Sequence, residues 1–249
     1  MSMFHLGFAC DWKRRRLSTW SHTPSSLFDA FQALPDVELT DINVAPLPAV
    51  KFLLRLAGGR IINGEAKSVT LYSAWYARWL RANFARRYPA AAELDAVLMI
   101  GDIGEPDAVP YYLYLDWTMA LAHRQIRESG RIVQYEMLTP AIVAKRAAIE
   151  QRCFNRAAGI FVMNSWVARS LAEDNGIPAE RIHVVHAGVN VRADAEPDAP
   201  GFDGGTRSIL FIGRHFGRKG APLVLSAFQK LAQAGAGDVE LVIAGPRAW

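Results

Sequence analysis

Ser208-Ile209-Leu210-Phe211-Ile212-Gly213-Arg214-His215-Phe216-Gly217-Arg218-Lys219-Gly220 reads as a strand running into a basic, glycine-bearing loop. A helix is predicted near residues 221–232, and Val239-Glu240-Leu241-Val242-Ile243 reads as the next strand. Strand, loop, helix and strand in that order form a βαβ unit, the building block of a parallel sheet. Earlier in the chain, short apolar runs alternate with helix-like stretches almost throughout, which places the fold in the α/β class.

Working outward, Phe4 to Cys10 reads as a buried first strand. Thr23-Pro24 then opens a helix, with Thr23 as N-cap and Leu27, Phe28, Phe31 and Leu34 at helical spacing. Val37 to Val44 is a second strand, and Pro48 to Arg87 reads as mainly helical with a break at Gly58-Gly59. Strands follow at Ala96–Ile100 and Tyr111–Leu115, then helices over Thr118–Glu128 and Pro140–Ala157. Ile160–Met163, a helix over Ser165–Asp174 closed at Asn175-Gly176, and Ile182–Val185 complete this part.

Between Arg192 and Thr206 the apolar periodicity stops and Pro, Gly and acidic residues accumulate, as in an interdomain linker. The expected division is a first domain over residues 1–190 and a linker with an incomplete second domain over 191–249. A lone βαβ unit leaves sheet edges and one sheet face uncovered, which makes it a poor independent domain.

The chain has 249 residues, 51% hydrophobic and 21% charged, enough to build a sizeable core. Its net charge of +4 comes from 28 Lys and Arg against 24 Asp and Glu. That balance attracts phosphate groups without specifying a nucleic acid, and no nucleic-acid partner is expected. The dense run Lys13-Arg14-Arg15-Arg16 is too short for a nucleic-acid arm. It reads either as a solvated loop or as a contact with an anionic ligand or membrane surface. Cys10 and Cys153 cannot supply a disulfide framework, which fits a reducing cytoplasm. No apolar run in the sequence is long enough to span a bilayer.

The loop after Ile212 lies at the carboxyl end of a strand, where open α/β sheets gather their ligands. Gly213 and Gly220 allow close backbone approach, and the following helix offers amides and a positive dipole end to phosphate oxygens. Arg214 supplies a two-pronged donor and Lys219 a mobile point charge. At an effective dielectric near 20, a cation about 4 Å from a phosphate charge gains about 4 kcal/mol before desolvation. A solvated basic turn is the plainer alternative. Gly220 stands where a phosphate loop of the Gly-x-x-x-x-Gly-Lys-Ser/Thr kind has its hydroxyl residue, and Gly-x-Gly-x-x-Gly is not matched either.

These blocks resemble a known family. Ile209 to Arg214, Lys219-Gly220, Leu225, Ala227, Phe228 and Val239 to Pro246 are similar to the start of the nucleotide-sugar domain of GT-B glycosyltransferases of family 4, glycosyl transferases group 1. Asn164 to Leu171, Gly176-Ile177-Pro178, Arg181-Ile182 and His186-Ala187-Gly188-Val189-Asn190 resemble the end of that family's N-terminal domain. Ser21-His22-Thr23-Pro24 looks like a variant of the Ser-Gly-Thr-Pro turn of some members. The resemblance implies a Rossmann-like acceptor-side domain followed by the first βαβ part of a Rossmann-like donor-side domain. It further implies retaining transfer of a sugar from a nucleotide diphosphate sugar to a glycan, lipid-linked or small-molecule acceptor. Arg214 and Lys219, with Gly213 and Gly220, match positions that neutralise the donor diphosphate, whose charge grows as the glycosidic bond breaks. No cofactor beyond the donor and no metal is implied.

The family's paired-Glu motif would fall beyond Trp249, so a C-terminal truncation is expected. Asp11-Trp12 and the basic run replace the usual Gly-Gly loop after the first strand. Asp116, after the strand ending at Leu115, matches a neighbourhood that carries a His or Asp facing the reacting sugar. It would orient an acceptor hydroxyl or take its proton, unless it caps the helix near Thr118. Asp102 has a similar place but reads as a turn residue. Ser21, His22 and Thr23 are candidates to meet acceptor or donor phosphate, with helix capping the competing role for Thr23. Two rival readings stay open: another GT-B enzyme such as a sugar-nucleotide epimerase, and a non-catalytic homologue that only binds.

Overall fold

In the computed structural model Phe4–Cys10 forms strand β1, whose side chains alternate between two apolar layers. The structure describes residues 3–62, 65–88, 94–130, 138–188, 190, 207–213, 216–217, 219–235, 237 and 239–245. They fall into two compact units, Met1–Val191 and Arg192–Trp249.

In the first unit, β1 is followed by α1 (Thr23–Gln32), β2 (Val37–Asn43) and α2 (Pro48–Ala57). An antiparallel pair, β3 (Gly59–Ile62) and β4 (Glu65–Ser68), comes next. Then come α3 (Ala74–Arg87), β5 (Ala96–Ile100), β6 (Tyr111–Leu115), α4 (Met119–Ser129) and α5 (Pro140–Arg156). Strand β7 (Gly159–Val162), α6 (Ser165–Glu173) and β8 (Ile182–Val184) close the unit. Six strands make one parallel sheet in the order β2-β1-β5-β6-β7-β8. The strand order reverses between β1 and β5, so the sheet is doubly wound and its switch point lies there.

Period-two patterning explains why both faces are covered. Leu6, Phe8 and Cys10 pack on one side with Phe28, Leu98 and Tyr114, while Ala9, Val97, Met99, Leu113 and Ile160 pack on the other with Phe84 and Phe154. The α/β class with a parallel sheet is as the sequence led us to expect. The helical reading of residues 48–87 needs correction, because β3 and β4 interrupt it. The dipeptide Asn63-Gly64, itself outside the described residues, lies between those strands in sequence and is the usual signal of a two-residue hairpin.

Strands β5 and β6 are parallel neighbours, yet residues 101–110 join them without a helix. Salt bridges hold that segment: Arg146 to Asp102, Arg81 and Arg156 to Glu105, and Arg156 to Asp107. Gly104 lets it press on α3, since a Cβ there would lie 2.4 Å from the Phe84 ring. The second unit consists of β9 (Arg207–Ile212), α7 (Ala221–Gln233) and β10 (Val239–Ala244), with β9 and β10 parallel.

Candidate functional site

Asp116 follows β6 at the carboxyl edge of the six-stranded sheet. Its capping alternative is not realised. Thr118 is the N-cap of α4, with backbone φ −135° and ψ 159° and a hydroxyl that accepts from the Leu121 amide at 3.2 Å. Asp116 is exposed to solvent, yet enough protein surrounds it for desolvation to raise its carboxyl above the ordinary carboxylate value. A hydrogen bond from its own backbone opposes that shift. Beside it, burial and then the Asp116 charge raise the Tyr114 phenol. The Tyr114 hydroxyl donates to the His186 carbonyl at 3.2 Å.

The segment after β8 also reaches the start of α1. The Asn190 side-chain amide donates to the Ser21 carbonyl at 3.2 Å and to the Thr23 hydroxyl at 2.9 Å. His186 therefore borders Asp116's neighbourhood and Asn190 the Ser21-His22-Thr23 turn, a role for Asn190 that the sequence did not single out. Thr23 is the first helical residue, with its hydroxyl engaged by Asn190, and is not the N-cap; His22 is, with no side-chain cap. Trp20, Ser21 and His22 all have left-handed backbones, with φ of 41°, 53° and 76°. Three such non-glycine residues in succession store strain, which concentrates at functional sites.

After β1, Asp11 accepts from the Tyr76 hydroxyl at 2.9 Å and pairs with Lys51 at 3.3 Å. The Trp12 indole donates to Asp41 at 2.8 Å, and Arg16 pairs with the same carboxylate while lying over the Trp12 ring. Asp102 is buried in its ion pair with Arg146, so it holds the fold and does not face solvent chemistry.

In the second unit, Gly213 donates to the Ala244 carbonyl at 2.9 Å and lies so close to Lys219 that an added Cβ would be 3.1 Å from the lysine Cβ. The loop thus folds back and brings exposed Lys219 beside the carboxyl end of β9. Gly220 caps α7 with φ 81°, which glycine adopts readily. The first amides of α7 are not open to a ligand as the sequence suggested. Gly220 donates to Gly217, Ala221 to Phe216 and Leu223 to Gly220, and Pro222 has no amide hydrogen. Arg214 lies outside the described residues. Among the described residues no group of His, Cys, Asp and Glu could hold a metal ion, and no helix is long and apolar enough to cross a membrane. Cys10 and Cys153 are free, and burial raises both thiols well above their ordinary value.

No protein-family model matches the chain, and no curated protein matches it. Solved structures that it resembles include the glycotransferase of kitacinnamycin, at 15% identity and TM-score 0.46, over 100% of this chain and 67% of that one. The S. aureus MnaA–UDP structure is similar at 13% identity and TM-score 0.46, over 99% of this chain and 63% of that one. A Listeria monocytogenes protein assigned as a UDP-N-acetylglucosamine 2-epimerase is similar at 15% identity and TM-score 0.48, over 98% of this chain and 63% of that one. The chain therefore spans about two thirds of the length of these structures. At TM-scores below 0.5 the likenesses carry no weight for function.

Proposed function

We propose that this chain belongs to a retaining glycosyltransferase of the GT-B kind, with the first unit on the acceptor side and the β9–α7 loop holding the donor diphosphate. The observation that carries the reading is Asp116: at a strand's carboxyl end, relieved of capping by Thr118, and with a raised carboxyl pKa. A carboxylate that holds a proton more firmly than usual is a better base for an acceptor hydroxyl. In this reading Asp116 orients that hydroxyl on the face of the sugar from which the diphosphate departs, as retention in one step requires, and takes its proton as the oxygen bonds to the anomeric carbon. The bonding electrons of the breaking glycosidic bond go to the departing diphosphate, which Arg214 and Lys219 neutralise. With the α7 amides engaged internally, the side chains supply most of that charge. Ser21, His22 and Thr23 line the acceptor side, steadied by Asn190.

Thermal shift and calorimetry with UDP and GDP test the donor half. A bound nucleotide raises Tm, and Lys219→Ala weakens its affinity about tenfold or more, while Asp116→Asn binds normally and transfers no sugar. Absence of binding by either nucleotide overturns the proposal, as does full transfer by Asp116→Asn. Release of a rearranged sugar from donor alone, without an acceptor, would replace it by epimerisation.

A further inference from the structure

At the carboxyl ends of β1 and β2, a groove of about 560 Å³ is lined by six cations, Lys13, Arg14, Arg16, Lys51, Arg55 and Arg87. Asp41 pairs with Arg16 and Asp11 with Lys51, and Arg87 donates to the Asn43 carbonyl. Lys13, Arg14 and Arg55 have no carboxylate partner among the described residues. The same groove includes Leu47 and Phe52 of the α2 region, and α2 has no fully buried residue. Phe52, Leu53 and Leu56 are 63%, 62% and 62% exposed. At 100° per residue, Ala49, Phe52, Leu53 and Leu56 share an arc of about 100°. Val50 and Leu54 turn the other way, and Leu54 packs on the core. Lys51 and Arg55 run along the border between these faces.

A helix with an uncovered apolar arc, a cationic border and a basic groove beside it has the composition of an interfacial membrane helix. We infer that α2 and the adjoining groove dock the protein on an anionic lipid surface, with Phe52, Leu53 and Leu56 entering the headgroup–acyl boundary and Lys13, Arg14 and Arg55 meeting lipid phosphates. Charge selects this occupant. A second copy meeting the face by twofold symmetry would set one basic groove against another. A nucleic acid would satisfy the cations but leave the Leu and Phe side chains in water. A bilayer with anionic headgroups covers both. Docking does not depend on the transfer reaction, so its test reads binding alone.

Sedimentation of the full chain with vesicles provides that test, comparing phosphatidylcholine alone with an equal mixture of phosphatidylcholine and phosphatidylglycerol. Partitioning onto the anionic vesicles is expected to exceed that onto neutral ones at least about tenfold, and to fall with added salt. Each of Lys13→Ala, Arg14→Ala and Arg55→Ala costs about fivefold. The pair Leu53→Ser and Leu56→Ser costs about tenfold or more. Melting curves without lipid confirm that the variants fold. Should they not, Leu53→Cys carrying an environment-sensitive dye is read instead, since buried Cys10 and Cys153 resist labelling; its emission shifts to the blue on anionic vesicles. Equal binding to both vesicle types, unchanged binding by the serine pair, or an unshifted dye overturns the inference. So does binding to a short DNA duplex as tight as to anionic vesicles, or vesicle-free dimerisation that the serine pair abolishes.

Discussion

His22 has the left-handed φ of 76° that glycine tolerates and other residues resist. Left-handed backbone costs an L-residue about 1–2 kcal/mol, of which glycine's greater freedom when unfolded takes back about 0.5–1 kcal/mol. His22→Gly should therefore stabilise the protein by about 0.5–1 kcal/mol in a urea titration; a destabilised variant would show that the imidazole holds the turn. The turn was only partly legible. Thr23-Pro24 announced the start of α1, but Thr23 as N-cap rested on local rules alone. Its actual partner, Asn190, lies 167 positions away, and no local pattern encodes that contact. Asp116 was easier to find, because a carboxylate directly after an apolar run marks a strand's carboxyl end. Deciding between capping and chemistry needed the position of the Thr118 hydroxyl.

At the scale of elements, strands with period-two or continuous apolar runs were readable, and so were helices with caps. Connections held by distant side chains were not. The hairpin β3–β4 was hidden because its flanking helices suggested one helical stretch, although Asn63-Gly64 carried the signal. The 101–110 connection depends on an ion network with α3 and α5. Glu150 joins that network to α4: its Oε2 accepts from the Met119 amide at 2.7 Å, placing an acidic group at the helix N-terminus, and Arg146 approaches to 3.7 Å. Burial raises the Glu150 carboxyl from 4.5 to about 8, helped by Asp102 and opposed by Arg146, Arg81 and the Met119 bond. A raised value means the folded state binds the proton more tightly than the unfolded chain. The resulting stability is full below about pH 4.5 and is lost as pH rises through about 8. Glu150→Gln keeps an acceptor for Met119 but cannot ionise. From pH 5 to 8.5, its stability should rise relative to wild type by more than about 1 kcal/mol, roughly the worth of one pKa unit. Parallel pH profiles in urea titrations would show instead that Glu150 ionises in the fold without cost.

The two units differ in how they are held together. In Met1–Val191 the sheet is covered on both faces by apolar layers, and residues such as Phe8, Phe154, Leu113 and Ile160 are fully buried. In Arg192–Trp249, Ala221 is the one core hydrophobic among the described residues, while Ile209, Leu210, Ile212, Leu223 and Val242 remain exposed. Two strands and a helix bury too little apolar area to offset about 1–2 kcal/mol of backbone entropy per ordered residue. A lone βαβ unit has more apolar faces than partners. Expressed separately, residues 1–191 should unfold in a single cooperative transition, with a Tm within a few degrees of the whole chain's. Residues 192–249 should show no cooperative transition, since the contacts that would order β9, α7 and β10 are not supplied within the segment. Calorimetry of both pieces decides the matter. A sharp heat-capacity peak from 192–249 alone would mean that the exposed faces of β9 and β10 find partners within the segment, and that the unit is a domain in its own right. Loss of cooperativity in 1–191 would instead make the first unit's two apolar layers insufficient and tie its folding to the residues beyond Val191.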